Sequence, residues 1–210
     1  MPLNYIRDPE QIFQQSIRAI EEILPLTNFP QSLRPVARRI VHACALPEIA
    51  DNLKWHGDPV AAVRDALKNG AEFLTDCEML KHGITALPPP RAPRCFLNHP
   101  DAAARGRDRR ITRSAAAVEL WQPCLGGAVV AISGAPTALF RLLEGLIDEN
   151  WNRPAVIFAF PVGFVGAAES KAALSSLAPA PYLTLAGRLG GSPMAAAAVN
   201  AAIKASLGDA

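Results

Sequence analysis

The sequence predicts an α/β fold: a three-layer α/β/α arrangement around a mainly parallel sheet, in one domain spanning residues 1–210. Two observations carry this expectation. The second half alternates short apolar runs with segments of helical length: AVVAIS (128–133) precedes PTALFRLLEGLIDE (136–149), AVIFAF (155–160) precedes AESKAALSSL (168–177), and PYLTLAG (181–187) precedes PMAAAAVNAAIKASL (193–207). Repeated strand–helix units of this kind favour a parallel sheet covered by helices on both faces. In addition, the chain has 21 basic and 19 acidic residues, of which only 6 lie beyond position 150, as expected where strands are buried on both sides.

The first half is assigned element by element. Asp8-Pro9 reads as a helix cap followed by proline at the first helical position, and Ile12, Phe13, Ile17 and Ile20 recur at helical spacing, so a helix is expected over about 9–23. PVARRIVHACA again starts on a proline and carries Val36, Ile40 and Val41 on one side, which places His42 near a helix C-terminus. A helix over 58–69 leads through Gly70 into the apolar stretch EFLTD. A short helical piece at 76–82 follows, then the proline-rich connector ALPPPRAP and a strand at RCFLN. Residues 100–111 hold Arg105, Arg107, Arg109 and Arg110 with little hydrophobicity. They are expected to form a surface loop before the helix TRSAAAVELW, which places Arg113 in that helix's first turn.

Composition bounds the function. With 50% hydrophobic residues and a net charge of +2, there is no bulk electrostatic reason to expect binding to nucleic acid or to a membrane surface. The longest apolar run, Ala155 to Ala168, is broken by Pro161, Gly163 and Gly166 and falls short of the roughly 20 residues a membrane helix needs. The start MPLNYIRDPE has neither the basic beginning nor the apolar core of a signal peptide, so a soluble cytoplasmic protein is expected. Cys44, Cys77, Cys95 and Cys124 lie 33, 18 and 29 residues apart and form no C-x-x-C pair. They read as core or loop thiols, and no metal site is expected.

In an open parallel sheet, ligands bind where the carboxyl ends of the strands run into helices. Three such loops stand out: SGAPTAL (133–139), PVGFVGAAESK (161–171) and GRLGGS (187–192). Each combines glycine or proline with small residues at a helix entrance, where unpaired backbone N–H groups and the positive end of the dipole favour a carboxylate or phosphate. An ordinary strand-to-helix turn is the competing reading of each. None matches a phosphate-binding or dinucleotide pattern, which argues against a flavodoxin-like nucleotide module. His42 is the best candidate for proton transfer, because imidazole alone titrates near neutral pH without a large perturbation. A structural histidine is the alternative. Asp76 and Glu78 are acids on a short helical segment, where capping is the commoner role. The arginines at 105–113 either hold a polyanion or form a solvated basic loop.

VHAC (41–44), TDCEML (75–80), GITALP (83–88), TRSAAA (112–117), APTALFRLLE (135–144), PVGFVGAAESK (161–171) and GGSPMAAAAVNA (191–202), in this order and spacing, resemble the precorrin-8X methylmutase family. The family is also called precorrin isomerase and includes cobalt-precorrin-8 methylmutase. The resemblance covers nearly the whole chain. It implies an isomerase of cobalamin biosynthesis, working as a homodimer with its substrate near the subunit interface. The reaction it implies moves a methyl group from C-11 to C-12 of precorrin-8X, or of cobalt-precorrin-8, giving hydrogenobyrinate or cobyrinate with no redox or methyl-donor cofactor. Direct hand-over of product to the next enzyme of the pathway is also expected.

By the same resemblance, His42 is the active-site histidine that protonates the macrocycle, Ser16 is a hydrogen-bonding residue and Arg113 pairs with a substrate carboxylate. Ser114, Gly134, Thr137, Gly163, Gly166, Ser170, Lys171, Arg188, Gly191 and Ser192 line the substrate through the glycine loops and helix entrances. The family usually reads GNAPTAL where this chain has SGAPTAL, and Cys44 and Leu189 replace a frequent threonine or serine and a frequent lysine. Loss of the asparagine amide removes a possible substrate or loop-fixing hydrogen bond. That departure motivates the alternative of a non-catalytic corrinoid-binding carrier or pathway partner.

Overall fold

The computed structural model describes residues 3–208. Its centre is a six-stranded sheet in the order β1-β6-β5-β4-β2-β3, formed by β1 (Leu53–His56), β2 (Phe73–Thr75), β3 (Arg94–Cys95), β4 (Val129–Ile132), β5 (Val156–Ala159) and β6 (Tyr182–Leu185). All neighbouring pairs are parallel except the edge pair, where β1 runs antiparallel to β6 with Leu53 opposite Leu185. The strands β4, β5 and β6 are buried along their whole length, as their continuous apolar sequences require.

The period-2 alternation of each strand divides its side chains between two cores. Val129, Ala131, Val156, Phe158, Leu183 and Leu185 face a core shared with α2 (Arg34–Cys44), α3 (Pro59–Lys68), α4 (Glu78–Gly83) and α9 (Ser192–Leu207). Val130, Ile132, Ile157, Ala159 and Tyr182 face the other, shared with α6 (Arg113–Glu119), α7 (Pro136–Ile147) and α8 (Ala167–Leu177). This is the three-layer arrangement the sequence predicts. The alanine-rich α9 lies on the sheet with ten buried residues, and small side chains allow this close approach; a Cβ on Gly83 would lie 2.9 Å from that of Ala196.

Two expectations need correction. The stretch 100–111 is not a loop over most of its length: α5 (Pro100–Asp108) occupies it. Proline at the first helical position, a run of alanines and arginines, and the His99 ring accepting the Asp101 N–H are sufficient to start and carry a helix that buries only Ala102. The expected strand at RCFLN shrinks to Arg94–Cys95. The edge strand β1 was not anticipated at all.

The N-terminal helix α1 (Pro9–Ile23) forms as expected, capped by the Asp8 carboxylate, which accepts the Glu10 and Gln11 N–H groups. It is strongly amphipathic and yet buries no residue, leaving Ile12, Phe13 and Ile23 exposed beside Tyr5 and Leu3.

Candidate functional site

The parallel strands deliver the three glycine loops to one edge of the sheet, and the structure shows how they are fixed there. Gly163 N–H donates to the Arg188 carbonyl (3.2 Å) and Gly191 N–H to the Phe160 carbonyl (2.7 Å), so the 161–166 and 187–191 loops are stitched together at the end of β5. The fit depends on Gly190, because a Cβ there would overlap the Phe160 carbonyl. Gly166 adopts φ +79°, and a Cβ on it would sit 3.2 Å from Pro136, so this turn packs tightly on the start of α7. Thr137 at the start of α7 shares a 2.7 Å hydrogen bond with Thr112, the N-cap of α6, which places Arg113 and Ser114 on the same rim.

The loop 133–135 differs from expectation. Its backbone N–H groups are not free for an anionic ligand, because the buried Asp76 carboxylate accepts from Ser133 (2.9 Å), Gly134 (2.7 Å) and Ala135 (3.1 Å) and also from the Ser133 hydroxyl (3.3 Å). Asp76 thus does the capping work that an N-cap side chain would do for α7, from a position 57 residues earlier in the chain. Ser133 Oγ extends the network to Ser192 Oγ (2.9 Å) and Cys77 Sγ (3.4 Å), joining the ends of β2 and β4 to the start of α9. The Ser133-Gly134 departure therefore leaves this loop firmly anchored.

Lys171 is buried on α8, 1% exposed, and its ammonium donates to the Leu189 carbonyl at 2.6 Å. No carboxylate pairs with it among the described residues, and burial lowers its pKa to about 8. The neighbouring Ser170 hydroxyl turns back to the Ala167 carbonyl. Outside these anchors the rim is apolar and open. Val162, Phe164, Val165 and Leu189 are exposed, Phe164 and Val165 at 87% each, and the Arg188 guanidinium stands 5.3 Å from the centre of the Phe164 ring.

The arginines of 105–113 separate into two groups. Arg105 (3.5 Å) and Arg109 (2.7 Å) are paired with the buried Glu119, which also receives Arg141 from α7 (2.9 Å). Desolvation pushes the Glu119 carboxyl up, but hydrogen bonds from Arg141 and Arg109 outweigh it and hold the group below the usual carboxylate range. Arg113 has no such partner among the described residues and remains exposed on the rim.

His42 stands in the last turn of α2, partly buried, with the Phe13 ring of α1 edge-on at 6.0 Å and the Arg39 guanidinium 2.6 Å from its Nδ1. Partial desolvation, followed by the Arg39 charge, holds its pKa below the ordinary value. Ser16 is on the adjacent α1, its hydroxyl donating to the Ile12 carbonyl at 2.9 Å. The structure thus gathers the predicted residues into two places. Arg113, Ser114, Gly134, Thr137, Gly163, Gly166, Arg188, Gly191 and Ser192 mark the carboxyl edge of the sheet, with Ser170 and Lys171 behind it. His42 and Ser16 belong to the α1–α2 layer, and no hydrogen bond or ring contact links them to that edge among the described residues. The capping role expected of Asp76 on its own segment is exercised instead at the start of α7, while the role of Gly190 and the pairing of Arg39 with His42 are absent from the sequence reading; the i, i+3 spacing of the last pair is a readable signal.

A family model described as precorrin-8X methylmutase matches residues 11–205. The chain is 45% identical to a precorrin-8X methylmutase of Pseudomonas aeruginosa over 95% of its length and 97% of the relative's. It is 34% identical to a cobalt-precorrin-8 methylmutase of Methanocaldococcus jannaschii, over 88% and 86% of the two chains. The structure of a precorrin-8X methylmutase from Thermus thermophilus superposes with a TM-score of 0.82 at 32% identity, covering 95% of this chain and 98% of that one.

Proposed function

Because the chain belongs to the precorrin-8X methylmutase family, and is therefore an isomerase of cobalamin biosynthesis, we propose that it moves the methyl group of precorrin-8X from C-11 to C-12 with His42 as the proton donor. The observation that carries this reading is the placement of His42: a partly buried imidazole in the last turn of a helix, walled by the Phe13 ring of α1. Protonation makes the conjugated macrocycle electron-poor and lowers the barrier to methyl migration. After migration the ring returns a proton to the neutral His42, so the protein ends in its starting state and the reaction balances as an isomerisation. The higher identity to the metal-free enzyme than to the cobalt enzyme favours the metal-free substrate.

The open apolar rim around Phe164 suits a large flat ring, and Arg113 and Arg188 supply charges for its carboxylate side arms. Two separated groups of residues, together with an amphipathic α1 that buries nothing, fit a site completed by a second copy in a homodimer. No helix among the described residues is long and apolar enough to cross a membrane. Several charge-assisted contacts slow product release and favour hand-over to the next enzyme. The carrier alternative loses the loop-fixing half of its motivation, since the loop bearing Ser133 and Gly134 is held by Asp76.

The test is an absorption time course with precorrin-8X and with its cobalt form, using the native protein and His42→Ala. Conversion of the metal-free pigment by the native protein alone is expected. Equal turnover by His42→Ala removes the proton-donor role, and binding without conversion by the native protein restores the carrier reading.

A further inference from the structure

We propose, resting on the reading of His42 as proton donor, that Arg39 is the positioning residue that keeps His42 neutral until a carboxylate side arm of the substrate enters the groove between α1, α2 and α9 and takes the Arg39 guanidinium. The argument begins with hydrogen inventory. A guanidinium offers only N–H groups and has no lone pair to accept with. With Arg39 Nη1 at 2.6 Å, His42 Nδ1 must be the acceptor, which puts the single imidazole proton on Nε2. A protonated imidazole carries N–H on both nitrogens and would meet the Arg39 N–H head-on. The resting pair is therefore incompatible with the imidazolium form that a proton donor requires, and Arg39 must move before His42 can act.

The groove beside this pair gives Arg39 somewhere to go. It is a cavity of about 330 Å³ with Phe13 and Ile17 of α1 on one side, Thr85 and Ala201 on another, and Arg39 and Lys204 as basic groups at its walls. The other charged groups around it cancel, because Arg38 is paired with Glu21 of α1 at 2.7 Å. No acid pairs with Arg39 or with Lys204 of α9 among the described residues. Asn200 is already committed: it accepts the Thr85 and Ala86 N–H groups and donates to the Gly83 carbonyl. What remains is an apolar-walled pocket with two cations, the chemistry that receives a short methylene chain ending in a carboxylate, such as an acetate or propionate arm.

The energetic coupling has the right sign. His42 titrates low partly because of the Arg39 charge, so pairing that charge with an incoming carboxylate raises the affinity of His42 for a proton. Lys204 adds a second attachment point but does not touch His42. In this arrangement recognition of a side arm charges the proton donor, and substrate lacking that arm finds His42 neutral.

NMR of the His42 imidazole tests this without any turnover. The titration is followed in the native protein, in Arg39→Met and in Arg39→Lys, each with and without sodium propionate. The expected result is a midpoint about one pH unit higher in Arg39→Met than in the native protein, with Arg39→Lys staying low because it keeps the charge. Propionate should raise the native midpoint and leave Arg39→Met unmoved. Coinciding midpoints in the native and Arg39→Met proteins overturn the proposal, as does a propionate shift of equal size in both.

Kinetics with precorrin-8X supply a second readout: Arg39→Met should raise KM and move the alkaline limb of the kcat/KM profile to higher pH. An unmoved limb counts against it. Turnover by His42→Ala defeats the proton-donor reading itself, whereas the NMR result speaks only to Arg39, so the two failures are distinguishable.

Discussion

Replacing Lys171 with methionine should leave the protein as stable as before, or more so, at neutral pH while weakening substrate binding. The native side chain is buried with a single hydrogen bond, to the Leu189 carbonyl, and its pKa is lowered from the usual 10.5 to about 8 by desolvation. The folded state therefore binds the proton less tightly than the unfolded chain does. The penalty is fully present below pH 8 and is relieved as pH rises from 8 towards 10.5. At about 1.4 kcal/mol per unit it amounts to roughly 3 kcal/mol at pH 7. Methionine removes this penalty but strands the Leu189 carbonyl, at a cost of about 1–3 kcal/mol.

The net change is thus between neutral and about 2 kcal/mol of added stability at pH 7. At pH 9.5 the native penalty falls to about 1–1.5 kcal/mol, so the native protein should gain about 2 kcal/mol relative to the variant between the two pH values. Urea unfolding of both proteins at pH 7 and 9.5 measures the difference. A stability gap that does not change with pH refutes the buried, charged state of Lys171. Because the lost bond also anchors the loop that carries Arg188, the variant's KM for precorrin-8X should rise; an unchanged KM would show that the loop holds its position without it.

Asp76→Asn should destabilise by about 2–4 kcal/mol in urea unfolding, since an amide nitrogen would face backbone N–H groups that now donate to a buried carboxylate; a loss under half that size would mean that the loop holds without the charge. Gly190→Ala should abolish substrate binding, measured by absorption titration, because the new methyl displaces the 187–191 loop from the Phe160 carbonyl; retained affinity would show that the loop tolerates the shift. Glu119 has a lowered folded pKa, so its stabilisation is present above the ordinary value of 4.5 and is lost as pH falls below it. Glu119→Gln should therefore be less stable at pH 7 and lose less than the native protein on acidification. Parallel acid denaturation curves would contradict this.

The legible parts of the fold were those whose physics is local. Strands β4 to β6 declare themselves because a strand buried on both faces needs a continuous apolar run, and the helices after them because they begin at proline or small residues. β1 escaped notice because LKWH is an edge strand of four residues, with Lys54 and His56 facing water, and its pairing with β6 is decided some 130 residues away. α5 differs from the expected loop because it carries no large apolar residue to signal a helix face; Arg105 and the C-cap residue Arg109 bind Glu119 rather than solvent alone. Asp76 is visible in the sequence as an acid, but its partners lie on a loop brought to it only by the pairing of β2 with β4. His42 and Arg113 are site candidates through family resemblance, and spacing gives no sign of their separation within one chain.

Part of the backbone-donor supply at the carboxyl edge is already committed within the protein. Asp76 takes the N–H groups of the 133–135 loop, and Phe160 and Arg188 carbonyls take those of Gly191 and Gly163. At the start of α7 the helix-entrance amides, the usual anion site of a parallel α/β sheet, are spent on the Asp76 carboxylate. On the proposed function, side chains share the work of charge recognition: Arg113 on α6, Arg188 on the loop after β6, and Arg39 on α2. Each is exposed, and each stands on a different element of the fold. Long exposed guanidiniums follow a substrate's side arms as it settles, whereas fixed amides demand one position. An apolar rim with long-armed charges around it suits a large ring that carries several carboxylates.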